Sequence, residues 1–391
     1  MISIGTGYSD RENADAAAEV VSRQAMEESG TEKVSFAVLF ATADHRDHYW
    51  RIIKKIRKMT GAKCLVGASA FGVITGNTEI ERRPGIALMT IASDELEATS
   101  FLIKNLQENN YRAGEAVGGH LASSGLTPSL LLLFPDTFSF QNYRFFEGFE
   151  NSYGYLPMIG GTAAEDGTHE KTFQMEGDQV SFDAVSGIAF QGDFCTEIGT
   201  TQSCLPIGEP LQITRAEGNM IYEMDGRRAY DILLELLSHT EMTDPNEALQ
   251  DVFLGIPLRS FQTDFGKSSY LIRNIMGVNV KKGMLACASP IETGDFVTFT
   301  KRDPQRAKTD LRNMLEDLKE RLNPSLPRFG FYFNSCARGR SLYGEPNVDI
   351  HMIRQFFPQV PLLGFFTYGE FAPLDHVNHL HHYSAVLTLI V

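Results

Sequence analysis

Two short groups of residues near the end of the chain carry side chains able to do chemistry. Cys336, Arg338, Arg340 and Tyr343 make the first, and Tyr368, Gly369 and Glu370 make the second. A guanidinium beside Cys336 would favour the thiolate, the form that acts as nucleophile or redox sensor. No histidine partner for that thiol is identifiable along the chain, and a small apolar residue at a strand end is the structural alternative. Arg338 can clasp a carboxylate through parallel N–H donors, and Glu370 can accept from an ammonium group. Thiol, guanidinium, phenol and carboxylate recur here beside turn glycines, which is the make-up of a small-molecule pocket.

Histidines offer other chemistry. His351 falls one helical turn before Arg354, just beyond the first group. A lone imidazole there can serve as the axial ligand of a haem, with Arg354 near a propionate; the alternative is an exposed helix histidine. His376, His379, His381 and His382 crowd into one stretch. No cysteine or second histidine pair completes a tetrahedral set, so zinc competes with a polar surface loop. Ser69 in Gly67-Ala-Ser69-Ala lacks the second glycine of a nucleophile elbow and reads as a turn serine.

These side chains must be held by the elements around them. Residues 329–334 are expected as a strand running into the first group. Ile350, Ile353 and Phe357 then recur at helical spacing until Pro358. Residues 360–366 form the next strand and open into the second group; a histidine-rich loop over 376–382 and a closing strand over 383–390 follow. A β-α-β crossover makes the first two strands parallel. Both groups then leave one sheet edge, where open α/β sheets bind ligands.

The same order recurs upstream. Strands at 36–40 and 130–134 each precede a helical stripe: Tyr49, Ile52, Ile53, Ile56 and Met59 in one, Phe140, Tyr143, Phe146 and Phe149 in the other. Each stripe is followed by a strand ending in glycine. Gly67, Gly160 and Gly364 hold the same place in three β-α-β-β units. The N-terminal half is expected to pack two such units, and the C-terminal half a second pair whose earlier member has diverged. The run at 204–210 breaks the pattern and sets the expected boundary between domains at 1–207 and 208–391. The fold class is α/β with mixed sheets: two domains of repeated β-α-β-β units, helices packed on the sheets. An N-terminal helix is expected over 10–28 from a Ser9/Glu12 capping box. Others are expected over 229–238, from Asp244-Pro245, and after Asp303-Pro304 with Leu311, Leu315, Leu318 and Leu322 inward.

A chain of 391 residues can bury two cores. Its net charge of -14 repels phosphate backbones and anionic membrane surfaces, which argues against nucleic acid as a partner. Five scattered cysteines without a CxxC pair give neither a zinc frame nor a disulfide frame, and fit reduced thiols in a cytoplasmic protein. No secretory leader and no membrane-length apolar run is read in the sequence.

Arg338-Gly339-x-x-Leu342-x-Gly344, Pro361-Leu-x-Gly364-Phe-Phe-x-x-Gly369-Glu370 and Tyr383-Ser-x-Val386-Leu-Thr-Leu389 resemble the C-terminal half of FIST-domain proteins. So does the order Asp225-Gly226-x-x-Ala229, Arg273-x-x-x-Gly277-Val278, Gly294-Asp295. The upstream units resemble the N-terminal half, so the resemblance covers nearly the whole chain. It implies a bacterial sensory module that binds a small ligand and acts on a separate partner such as a histidine kinase. Stand-alone members of the family include nitric-oxide-sensing haemoproteins. Haem carrying nitric oxide is therefore the favoured ligand, with His351 as metal ligand. Cys336, Arg338, Arg340, Tyr343, Tyr368, Gly369, Glu370 and Arg354 are the expected binding residues. The alternatives are an amino-acid or carboxylate sensor of the same fold, and a thiol enzyme using Cys336. In family members the cysteine more often stands one residue further from the Arg-Gly pair, where this chain has Ser335.

Overall fold

Glycines decide the first contact of the chain. Ser9 ends strand β1 (Ile2–Ser9) and does not open a capping box; helix α1 (Ala14–Ser29) begins later than expected, capped by the Asn13 side chain on the Ala16 N–H. A Cβ on Gly5 would lie 1.8 Å from the Ala25 carbonyl oxygen, so glycine is what lets β1 lie on α1. The computed structural model describes residues 2–31, 33–238, 251–257 and 270–391.

The first copy of the repeat continues with β2 (Phe36–Thr42), α2 (Tyr49–Thr60), β3 (Cys64–Ala70), the hairpin β4 (Gly72–Thr75) and β5 (Thr78–Glu81), and β6 (Ile86–Ser93). The second copy follows the same order: β7 (Leu96–Lys104), α3 (Asn110–Ser123), β8 (Leu130–Pro135), α4 (Asn142–Tyr153), β9 (Met158–Gly161), β10 (Gln174–Glu176), β11 (Gln179–Ser181) and β12 (Ala184–Gly192). A third copy opens with β13 (Thr196–Gln202) and is then interrupted.

The interruption is a unit of its own, Thr201–Asp310. It holds β14 (Cys204–Glu217), β15 (Met220–Met224), β16 (Arg227–Arg228), α5 (Ala229–Ser238), β17 (Val252–Pro257), β18 (Tyr270–Asn279), β19 (Met284–Cys287) and β20 (Phe296–Arg302). The strands follow the order β14-β20-β17-β18-β19-β15-β16, and β14 also pairs with β15, so the sheet closes on itself through the long, bulged β14. Ile213, Leu254, Leu285, Val297 and Phe299 fill it, with Leu233 and Leu237 of α5. The helix expected from Asp244-Pro245 lies outside the described residues.

The third copy resumes with α6 (Pro304–Leu322), β21 (Phe329–Ser335), α7 (Gly339–Tyr343), α8 (Val348–Phe356), β22 (Leu362–Thr367), β23 (Glu370–Leu374), β24 (Val377–His381) and β25 (Ser384–Ile390). Leu311, Leu315, Leu318 and Leu322 of α6 are buried as their spacing predicts. The C-terminal half thus contributes one copy and not a pair. The histidine-rich stretch is a strand of a hairpin and not a loop. The larger unit is Met1–Thr200 with Leu311–Val391, so it takes chain from both sides of residue 207. The α/β class with mixed sheets holds throughout.

The copies are knitted by exchange of hairpins. The β4–β5 hairpin of the first copy joins β22 of the third, β23–β24 of the third joins β9 of the second, and β10–β11 of the second joins β3 of the first. The three echoed glycines sit at equivalent registers: Gly67 opposite Leu39, Gly160 opposite Leu133, Gly364 opposite Tyr332. A Cβ at any of them would meet the carbonyl oxygen of that partner, at 2.1, 2.3 and 1.7 Å respectively. The next residue on each opposing strand is phenylalanine. Phe40, Phe134 and Phe333 meet in a triangle, with ring centroids 5.2, 6.1 and 6.3 Å apart, and Phe365 stacks on Phe40 at 4.3 Å. Each edge-to-face pair adds about 0.5–1.5 kcal/mol beyond area burial, so this plug ties the three copies together.

Candidate functional site

Two residues beyond each phenylalanine the strands place Thr42, Asp136 and Ser335, all buried. The loops that follow converge. Tyr368, after β22, donates its hydroxyl to the carbonyl oxygen of Glu165 at 3.0 Å, with Glu165 Oε1 at 3.4 Å. The Glu165 carboxylate, after β9, accepts the backbone N–H groups of Thr168 and His169, each at 3.0 Å. The His169 ring is hydrogen-bonded to the guanidinium of Arg46, after β2, and lies 3.8 Å from Asp166. Cys336, after β21, is half-buried and donates its backbone N–H to Thr367 at 2.8 Å. His382 Nδ1 stands 3.2 Å from the Tyr368 carbonyl oxygen. Burial, then the negative charge of Glu165, pushes the Tyr368 phenol well above its ordinary pKa, so it stays a donor. Burial pushes the Asp166 carboxyl up, but the Thr168 hydroxyl outweighs it together with other bonds and His169, and the net shift is downward.

Among the expected residues, Cys336, Tyr368 and Gly369 belong to this convergence. Gly369 closes it from below, its carbonyl accepting the Thr162 N–H at 2.8 Å and the Thr367 hydroxyl at 2.7 Å. Arg338 does not face it. That side chain is fully buried, and its Nε and Nη2 hold Asp349 at 3.1 and 3.0 Å. Asp349 also accepts from Tyr332, Asn334 and Tyr343, at 2.8, 3.1 and 2.8 Å. Burial opposes the guanidinium charge, yet Asp349 holds its pKa above the ordinary value. Arg338 is therefore an internal counter-ion and Tyr343 part of its shell; neither can clasp a ligand carboxylate.

Glu370 is likewise fully buried. It accepts the Ser384 hydroxyl at 2.6 Å, and burial raises its pKa to about 8, so it is a neutral acid inside the sheet and not a partner for an ammonium. Arg340 is exposed at a polar hollow of about 200 Å³ with Glu79, Glu81 and Arg83. There Glu79 accepts the backbone N–H groups of Asn347 and Ile350, and so caps α8 from the exchanged hairpin. Arg354 is spent on the carbonyls of Gly76, Phe357 and Val360, at 2.7, 3.2 and 2.5 Å.

His351 is exposed on α8. The apolar hollow of about 640 Å³ lined by Leu322, Leu326, Phe356 and Phe357 includes no histidine, cysteine, methionine or tyrosine among its lining residues. With Arg354 committed to backbone carbonyls, the residues around His351 do not fit a haem. His379 and His381 stand with ring centroids 6.2 Å apart, and among the described residues no group of three metal-ligating side chains forms. Ser69 is not in a turn: it lies within β3, paired with Ala41, and its hydroxyl accepts the Phe173 N–H at 2.9 Å.

Arg46, Glu165 and His169 were not among the expected site residues. The signal was in the repeat: Glu165 follows Gly160, and Arg46 follows β2, as Tyr368 and Cys336 follow their counterparts in the third copy.

The FIST N domain family model matches residues 35–227 and the FIST C domain model residues 229–373. The chain belongs to the FIST family, whose domains are sensory domains of signal-transduction proteins. It is 26% identical over 388 residues to an uncharacterized protein of Mycobacterium tuberculosis (strain ATCC 25618 / H37Rv), covering 99% of each chain. An uncharacterized protein of Mycobacterium bovis is 27% identical over 391 residues, with 99% of this chain and 98% of that one covered. Among solved structures, a cyanuric acid hydrolase from A. caulinodans aligns over 100% of this chain and 99% of its own at 10% identity and a TM-score of 0.36. A chorismatase aligns over 100% and 99% at 7% identity and a TM-score of 0.35. At those scores neither bears on activity. No described helix is long and apolar enough to cross a membrane.

Proposed function

We propose that the protein is a sensory module whose ligand is a free amino acid, received where the strand-end loops of the three copies meet. The observation that carries this is the single chain of contacts Arg46–His169–Glu165–Tyr368, drawn from three different copies. Arg46 is exposed and presents a guanidinium to a ligand carboxylate, while Asp166, also exposed, presents the opposite charge to an ammonium. This reading takes Arg46 and Asp166 for the roles first expected of Arg338 and Glu370.

Occupancy would draw the three loops together and favour one arrangement of a surface read by a separate signalling protein. A histidine kinase is the class of partner that the family resemblance points to. A thermal-shift screen of the proteinogenic amino acids tests the reading. A ligand raises the melting temperature of wild type, and Arg46→Ala abolishes the rise.

A further inference from the structure

The second unit carries a charge that its own fold does not neutralise. Arg273 on β18 pairs across the sheet with Leu254, which pairs with Phe299 on its other side. Directly opposed residues share a sheet face, so Arg273 stands on the face that Leu254 and Phe299 use to fill the closed sheet. Ile275, two residues on, is in the same core, as is Cys287. Arg273 is 8% exposed. Its guanidinium donates Nη1 to the carbonyl of Ile272 at 2.8 Å, and among the described residues no carboxylate pairs with it.

This is costly by ordinary rules. A guanidinium taken from water into an apolar interior loses much of its solvation unless an anion meets it. The contrast with Arg338, whose fork is filled by Asp349 and Tyr343, is direct. Burial lowers the Arg273 pKa to about 10, still far enough above neutrality to keep the charge. Five donors in a fixed fork with one carbonyl to serve are a receptor for a planar oxyanion.

We propose that the second unit binds a small monocarboxylate, whose oxygens take the free edge of the Arg273 guanidinium. The ligand needs no ammonium, since no acidic side chain faces Arg273 among the described residues. The site is separate from the one formed by Arg46 and Tyr368 and does not depend on it.

The test is equilibrium dialysis of the full chain with isotopically labelled acetate, propionate and pyruvate, each with acetamide as uncharged competitor. Wild type is expected to bind at least one of the three saturably, with acetamide failing to compete. Arg273→Met, which replaces the charge with an apolar chain of similar reach, is expected to lose that binding and to unfold at the same or a higher temperature without ligand. Arg273→Lys keeps the charge and loses the fork, and binding is expected to weaken at least tenfold. Absence of saturable binding of all three acids to wild type overturns the proposal, as does wild-type binding by Arg273→Met. Should Arg273→Met fail to fold, wild-type affinity in Arg273→Lys overturns it equally.

Discussion

The ring of Phe40 stands edge-on to that of Phe134, centroids 5.2 Å apart and planes at 82°. One residue comes from the first copy of the repeat and the other from the second, and Phe333 of the third touches both. Three stretches far apart in the chain therefore share one aromatic plug. The loops leaving β2 and the neighbouring strands β9 and β22 meet, which is why a site can be assembled there from residues as distant in sequence as Arg46, Glu165 and Tyr368.

The echoed glycines should be among the most sensitive positions in the larger unit. Alanine at Gly67, Gly160 or Gly364 puts a methyl group 2.1, 2.3 or 1.7 Å from a carbonyl oxygen of the neighbouring strand. Each substitution is expected to destabilise by about 3 kcal/mol or more in chemical unfolding. Gly119, exposed on α3 with nothing within 4 Å of a built Cβ, is the control: Gly119→Ala is expected to stabilise by about 0.5–1 kcal/mol. Equal effects at all four positions would contradict the close approach of the paired strands.

Arg338 and Asp349 should behave as a buried ion pair. Either Arg338→Ala or Asp349→Ala leaves an unmatched charge and is expected to cost about 3–5 kcal/mol. The double variant is expected to cost clearly less than the sum, because the second change removes the orphan left by the first. Additive losses in urea unfolding would show that the two side chains do not interact.

Stability should fall as pH rises from mildly acidic to mildly basic. Burial raises the Glu370 carboxyl, and burial with the charge of Asp349 raises that of Glu79, from 4.5 to about 8 in each case. In that window the folded state holds protons that the unfolded state has released, so the stabilisation is complete below about pH 4.5 and is lost as pH climbs through about 8. Glu370→Gln, neutral at every pH, is expected to flatten the fall while keeping the Ser384 contact. An unchanged slope in both Glu370→Gln and Glu79→Gln would refute the assignment.

Much of the architecture was legible because it is local. The strand-helix-strand-glycine order is written three times, and the structure uses the three glycines in one way. What stayed hidden was long-range. Nothing in residues 72–81 says that their hairpin will pair with β22, almost three hundred positions on, because strand pairing leaves no period in the partner. The second unit interrupts the third copy between β13 and α6, and its closure depends on an irregular register in β14 that a hydrophobic pattern does not encode. Arg338 looked like a ligand clasp because its spacing from Cys336 and Gly339 is visible. That Asp349 turns its carboxylate back onto the same guanidinium is a matter of helix direction. Glu370 read as the partner of a ligand ammonium because a carboxyl group is seldom fully buried.

Cys336 sits near the convergence without Arg338 facing it, so it is not required for recognition in this account. Cys336→Ser is expected to keep the amino-acid response, read as the ligand-induced rise in melting temperature. Complete loss of the response in a folded Cys336→Ser protein would place the thiol at the centre of the chemistry instead.

The central claim is that loops from three copies form one amino-acid site, and calorimetric titration of the best amino acid from the thermal screen tests it most directly. Wild type should bind one equivalent, Arg46→Ala should bind at least tenfold more weakly, and Arg273→Met should bind as wild type does. If no amino acid gives measurable heat, or if Arg46→Ala titrates like wild type, the site is not where the three loops meet.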